Sequence, residues 1–266
     1  ALNRSSQESL SQILKYIFAF SLCVETLGAL VLFLHWIEPM GWGKAAWYAI
    51  FHAVSAFNNA GIDLFGGFHS LQGFVTDPIV NLTIAGLFII GSLGFLVIYE
   101  LLIWRERKEL SLHTRIVLAG TLIILLIGSM VLFSLEFNNA FAQMSLGQKG
   151  MASFFLSATR TAGFSTIDMS QTLLSTQIFM VFLMFIGGSP GSTSGGIKIT
   201  TFVILIVAVV SLFRNKNDVE IWHRRLSGKT VNRALAITFL ASMLIFIDVF
   251  ILSCLHSNFM PILFEV

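Results

Sequence analysis

The chain has 266 residues, of which 56% are hydrophobic and 11% charged, with a formal net charge of +2. A soluble domain carries about 25% charged residues, so this composition excludes a water-soluble globular protein and calls for lipid as solvent. The near-neutral balance excludes nucleic acid as a partner, and Cys23 and Cys254, both within apolar runs, read as small buried hydrophobes and not as a disulfide.

The first apolar run, residues 13–36, is long enough to span a bilayer and holds Glu25 as its one acidic residue. Residues 45–57 are apolar but too short to cross, which predicts a re-entrant helix. A polar, glycine-containing stretch follows at 58–67. Residues 79–104 predict the next span, where Gly86, Gly91 and Gly94 let helices approach closely. Residues 116–135 are a further span. The short apolar segment 151–158 then ends in a second glycine-containing loop, 159–168. Residues 178–213 are apolar but broken at the centre by Gly187-Gly188-Ser189-Pro190-Gly191-Ser192-Thr193-Ser194-Gly195-Gly196. Residues 234–255 form the last span.

Twelve of the sixteen basic residues fall on one side of these spans: Arg4, Lys15, Arg105, Arg107, Lys108, Arg115, Arg214, Lys216, Arg224, Arg225, Lys229 and Arg233. The positive-inside rule makes that side cytoplasmic and brings both re-entrant segments in from the outer side.

The order span, re-entrant helix, glycine loop, span occurs twice. Ser55-Ala56-Phe57-Asn58-Asn59-Ala60-Gly61 and Ser157-Ala158-Thr159-Arg160-Thr161-Ala162-Gly163 share S-A-x-x-x-A-G. A third copy begins at 233–257, and Leu263-Phe264 aligns with Ile50-Phe51. No cleavable signal peptide is visible, and the start at Ala1 together with the unfinished third copy leads us to expect a piece of a longer polypeptide.

Irregular backbone at membrane depth is tolerated where it lines a cavity or is buried in protein. Carbonyls in such loops can replace the water shell of a cation, and glycine supplies the backbone angles they need. A re-entrant helix that aims its partially negative C-terminus at the membrane centre favours cations.

These residues resemble the Trk/Ktr/HKT superfamily of potassium transporters over essentially the whole chain. The loops at 57–61 and 159–165 look like its filter sequences. The string from Gly187 to Gly196, continued by Ile197-Lys198, looks like the broken helix beneath the filter. The resemblance implies an all-α polytopic membrane protein with a pseudo-fourfold pore, of which this chain carries the second unit (1–104), the third (105–213) and the start of a further one (214–266). It implies ion-binding carbonyls at Asn58, Asn59, Ala60, Gly61, Arg160, Thr161, Ala162 and Gly163, and a gate formed by residues 187–196 with Lys198. It also implies potassium uptake across the plasma membrane, with sodium as a coupling or activating ion in some members. A homodimer, surrounding lipid and a cytoplasmic nucleotide-binding regulatory ring complete the expectation; no covalent cofactor is implied.

Individual residues carry further expectations. Arg160 would repel potassium if it faced the ion, so its guanidinium should point away and pair with backbone or an acid. Lys198 is either functional at membrane depth or a snorkelling side chain. Asp63 and Asp168 either attract cations to the mouth or are solvated loop acids. Glu25 and Asp248 lie within spans and need partners. Two other functions compete. A secondary transporter could bind its solute at the broken helix. An intramembrane serine hydrolase could use Ser189, Ser192 or Ser194, but the broken span holds no histidine to act as base.

Overall fold

The computed structural model describes residues 2–67, 69–104, 108–215, 218–222, 224–255 and 259–266, with side chains from residue 15 onward. Of the basic clusters, Arg105, Arg107, Lys216 and the Arg4 side chain lie outside the described residues.

The chain is helical, in the order α1 (Leu2–Met40), α2 (Trp42–Phe57), α3 (Pro78–Leu93), α4 (Phe95–Leu102), α5 (Leu112–Glu136), α6 (Leu146–Ala158), α7 (Leu174–Phe185), α8 (Ile199–Phe213), α9 (Gly228–Ser253) and α10 (Phe259–Glu265). A two-stranded hairpin, β1 (Glu220–Ile221) and β2 (Arg224–Arg225), lies between α8 and α9. Helix starts follow local capping chemistry. Asp77 accepts from the Ile79 and Val80 N–H groups, and Ser145 and Gln148 form a reciprocal capping box.

Among the described residues, Lys15–Met40, Leu112–Glu136 and Gly228–Ser253 are long and apolar enough to cross a membrane. The span expected at 79–104 is two helices, α3 and α4, bent by 96° at Gly94. Gly94 has φ +83°, and a Cβ there would stand 2.8 Å from the Pro190 carbonyl oxygen and 3.0 Å from Ser189 Oγ. The bend therefore makes room for the break in the later span. Gly91 supports close approach in the expected way, whereas Gly86 faces open space.

Two cores hold the helices together. The first joins Leu32 and Trp36 of α1 to Ala45, Ala49, Ala53 and Ala56 of α2 and to Val80, Ile84 and Phe88 of α3. The alanines recur on one face of α2, and their small size lets α1 and α3 pack closely. The second joins Val117, Ile124 and Leu132 of α5 to Leu156 of α6, Met180 and Leu183 of α7 and Ile199 of α8. The Phe88 and Phe155 rings, 5.7 Å apart, link the two halves. Cys23 and Cys254 are unpaired, as expected. Both are exposed and not buried.

The C-terminal end of each first helix is tied to the start of the helix that follows its loop. His35 Nε2 lies 2.5 Å from Asp77 Oδ2 in the first half. In the second half Glu136, fully buried, accepts from the Leu173 N–H (2.9 Å), the Thr176 hydroxyl (2.5 Å), Asn139 Nδ2 (2.7 Å) and the Ala140 N–H (3.1 Å). Removing a hydrogen-bonded buried charge strands its donors. Glu136→Ala is expected to destabilise the protein by about 3 kcal/mol, read as a lowered unfolding midpoint in detergent.

Candidate functional site

The two glycine-containing loops meet. Gly61 (φ +68°) and Gly163 (φ +82°) both adopt left-handed backbone. A Cβ at Gly61 would overlap the Ala162 carbonyl oxygen and stand 3.0 Å from the Gly163 Cα. A Cβ at Gly163 would meet the Gly61 Cα at 3.7 Å, an ordinary contact.

Each loop is closed by a different hydroxyl. In the first, the Ser55 hydroxyl donates to the Ile62 carbonyl (2.7 Å) and accepts from its N–H (3.0 Å). In the second, the repeat-equivalent Ser157 donates to Leu125 of α5 (3.2 Å), and Thr159 closes the loop onto the Phe164 carbonyl (2.5 Å). The loops are also joined further along the chain, where the Leu71 N–H donates to the Ser165 carbonyl (2.9 Å) and the Ser165 N–H to Ser70 Oγ (3.1 Å).

The other predicted loop residues divide. Ala60 and Gly163 are exposed, Asn59, Gly61 and Thr161 are half-buried, and Ala162 is buried. The Asn58 amide donates to Glu25 Oε1 (2.9 Å), which supplies the partner Glu25 was expected to need. Arg160 is buried and is one of the residues that line the cavity described below. The expected pairing differs from the structure: Arg160 Nε has no hydrogen-bond partner, and Arg160 has no ion pair among the described residues. Asp63 Oδ1 accepts the Phe65 N–H at 2.8 Å. Asp168 accepts from the Ser170 N–H and hydroxyl and from Gln171 Nε2. The Ser170 hydroxyl, then its N–H, holds the Asp168 carboxyl below the usual carboxylate range. Both acids thus serve their own turns.

The break at residues 187–196 is a folded loop with its own bonds. The Gly187 N–H donates to the Ile197 carbonyl (2.8 Å) and the Ile197 N–H to the Phe185 carbonyl (3.0 Å), closing its base. The Gly188 N–H donates to Ser194 Oγ (2.8 Å), and Ser192 and Ser194 share a bond of 2.9 Å. Lys198 Nζ donates to the Ser194 carbonyl (2.6 Å), so it binds this loop. The loop is pinned to the bend at Gly94. The Ser189 N–H donates to the Ser92 carbonyl (2.9 Å), the Thr193 N–H to Gly91 (3.3 Å) and the Phe95 N–H to Gly191 (3.2 Å). The part of residues 91–95 in holding this loop is not legible in the sequence, because it is played by carbonyl and amide groups that side-chain identity does not mark.

A cavity of about 1120 Å³ is lined by Asn59, by residues 159–165 of the second loop, by Gly195, Gly196 and Lys198, and by side chains of α7 and α9. Loop backbone and intramembrane break thus face one space.

The whole chain, residues 1–266, matches the TrkH family, described as cation transport protein. It is 37% identical over its full length to the Ktr system potassium uptake protein B of Vibrio alginolyticus and spans 59% of that protein. Identity is 35% to the protein of the same name from Bacillus subtilis, again over the full chain and 60% of the relative. The potassium/sodium uptake protein NtpJ of Enterococcus hirae is 35% identical over 95% of the chain and 56% of the relative. The fold resembles the crystal structure of the potassium transporter TrkH from Vibrio parahaemolyticus, with a TM-score of 0.74 and 18% identity over 92% of the chain and 52% of that structure.

Proposed function

As the chain belongs to the TrkH family of cation transport proteins, we propose that it forms part of the ion path of a multi-pass potassium-uptake protein. Residues 58–61 and 160–163 supply carbonyls to a filter, and residues 187–196 with Lys198 form a gate beneath it. The observation that carries this reading is the meeting of the Gly61 and Gly163 backbones beside a cavity that also touches Gly195, Gly196 and Lys198. A closed ring of carbonyls needs more loops than these two, so the activity belongs to the whole polypeptide.

The same proposal divides the chain into pore units at 1–104 and 105–213 and the start of a further unit at 214–266. It places the protein in the plasma membrane with the basic clusters cytoplasmic. It includes a homodimer, a cytoplasmic nucleotide-binding regulatory ring and sodium as a coupling or activating ion. Relatives whose names make them members of a Ktr system or potassium/sodium uptake proteins support the last two.

The test is flux. The whole polypeptide carrying this chain, reconstituted in liposomes, is expected to take up potassium and rubidium down an inside-negative potential. Uptake of an amino acid without cation flux would replace this reading by a secondary transporter with its solute at the broken helix.

A further inference from the structure

Asn59 joins three segments that are far apart in sequence. It is a non-glycine residue at φ +53°, a conformation asparagine tolerates better than most. Its Nδ2 donates to Thr193 Oγ1 at 2.9 Å, across 134 residues of chain, and reaches the Phe57 and Phe88 carbonyls at a longer 3.3 Å each. Its Oδ1 accepts from the Thr161 hydroxyl at 2.9 Å, across 102 residues. The Thr193 hydroxyl in turn donates to the Phe57 carbonyl at 3.0 Å, at the C-terminus of α2.

The polarity of this chain is forced. A carbonyl can only accept, so the single proton of Thr193 goes to Phe57. Thr193 must then accept from Asn59, which directs the amide nitrogen towards Thr193 and leaves the amide oxygen for Thr161. Gly91 makes the arrangement possible. A Cβ there would overlap the Phe57 carbonyl oxygen and stand 3.0 Å from Thr193 Oγ1.

We propose that Thr193 and Asn59 form a latch through which the position of the intramembrane loop sets the geometry of both filter loops. The proposal rests on the assignment of residues 58–61 and 160–163 as filter and 187–196 as gate. Moving the loop away takes the hydroxyl from the Phe57 carbonyl and, together with it, the shortest of the three acceptors from the Asn59 amide, leaving it the Phe57 and Phe88 carbonyls at 3.3 Å. Asn59 then loses a bond that holds it in left-handed backbone, two residues before Gly61. Gate displacement and filter loosening become one event. Thr193 and Asn59 are positioning residues, since they act through backbone carbonyls.

The test compares rubidium uptake by the whole polypeptide in liposomes, as maximal rate, KM and rubidium-to-sodium ratio. Thr193→Val keeps the volume and removes the hydroxyl. It is expected to raise the maximal rate and lower the ion ratio, each by about fivefold, the low end of measured site-to-site couplings. Thr193→Ser should restore both. Thr161→Val cuts the link to the second loop while leaving Thr193 on Phe57, so it should lower the ratio without raising the rate. Thr193→Val with wild-type rate and ratio overturns the latch, as does an unchanged ratio in Thr161→Val should Thr193→Val fail to fold. Deleting the loop in parallel separates the two levels. If the deletion raises flux and Thr193→Val changes nothing, the gate reading stands and the latch falls.

Discussion

Replacing Gly61 with serine is expected to collapse the discrimination between potassium and sodium and to reduce potassium uptake by tenfold or more. Two costs act together. The backbone at φ +68° disfavours a residue with a side chain, by about 1–2 kcal/mol. The Cβ also overlaps the Ala162 carbonyl oxygen, which is backbone and has no rotamer to yield. The second loop must move, and its carbonyls move with it. A cation that has exchanged its water shell for carbonyls is sensitive to such a shift, so loss of function at a ~1.4 kcal/mol change per tenfold is reached easily. Gly163→Ser is the internal control. It carries the same backbone strain, but its Cβ meets the Gly61 Cα at an ordinary 3.7 Å. Its effect should be clearly smaller. Flux of both ions in liposomes, on protein that elutes as a single species, decides the matter. An unchanged ratio in Gly61→Ser would falsify the filter assignment.

The second large effect concerns the loop at 187–196. Removing residues 189–194 is expected to raise maximal ion flux between about 5- and 150-fold, the span of ordinary coupling energies. In the structure this loop is held against residues 91–95 by backbone bonds from Ser189 to Ser92, from Thr193 to Gly91 and from Phe95 to Gly191. Each such bond is worth roughly 0.5–1.5 kcal/mol, so together they favour the docked position by a few kcal/mol. The deletion removes the loop side of all three. The Gly187–Ile197 bond remains to close the base, so α7 and α8 keep their relation. Flux at or below the wild-type level would instead give the loop a purely structural part.

Much of this architecture is legible along the chain. The spans stand out because burial in lipid depends on local runs of apolar side chains, and the short segments before 58 and 159 stand out because they are too short to cross. The S-A-x-x-x-A-G repeat marked the two loops that the structure brings together at Gly61 and Gly163. The bend at Gly94 was not legible, since glycine within a membrane helix more often serves close packing. Here it does both: the chain bends by 96° at Gly94, and Ser189 and Pro190, nearly a hundred residues on, lie where its Cβ would stand. The role of Glu136 is not legible in the sequence because its four donors come from loop residues and from α7, with no charged partner to announce the site. Ser157 aligned with Ser55 in the repeat, yet the two hydroxyls bond different elements.

By itself, then, the sequence determined that the chain inserts in a membrane as helices, that one pattern of elements occurs twice, and where the backbone is irregular. These properties depend on residues within one or two helical turns. Only the tertiary structure decided which carbonyl meets which hydroxyl: Phe57 with Thr193 and Asn59 with Thr161. A hydrogen bond requires donor and acceptor within about 3 Å, and for partners more than a hundred residues apart, packing of the intervening helices sets that distance.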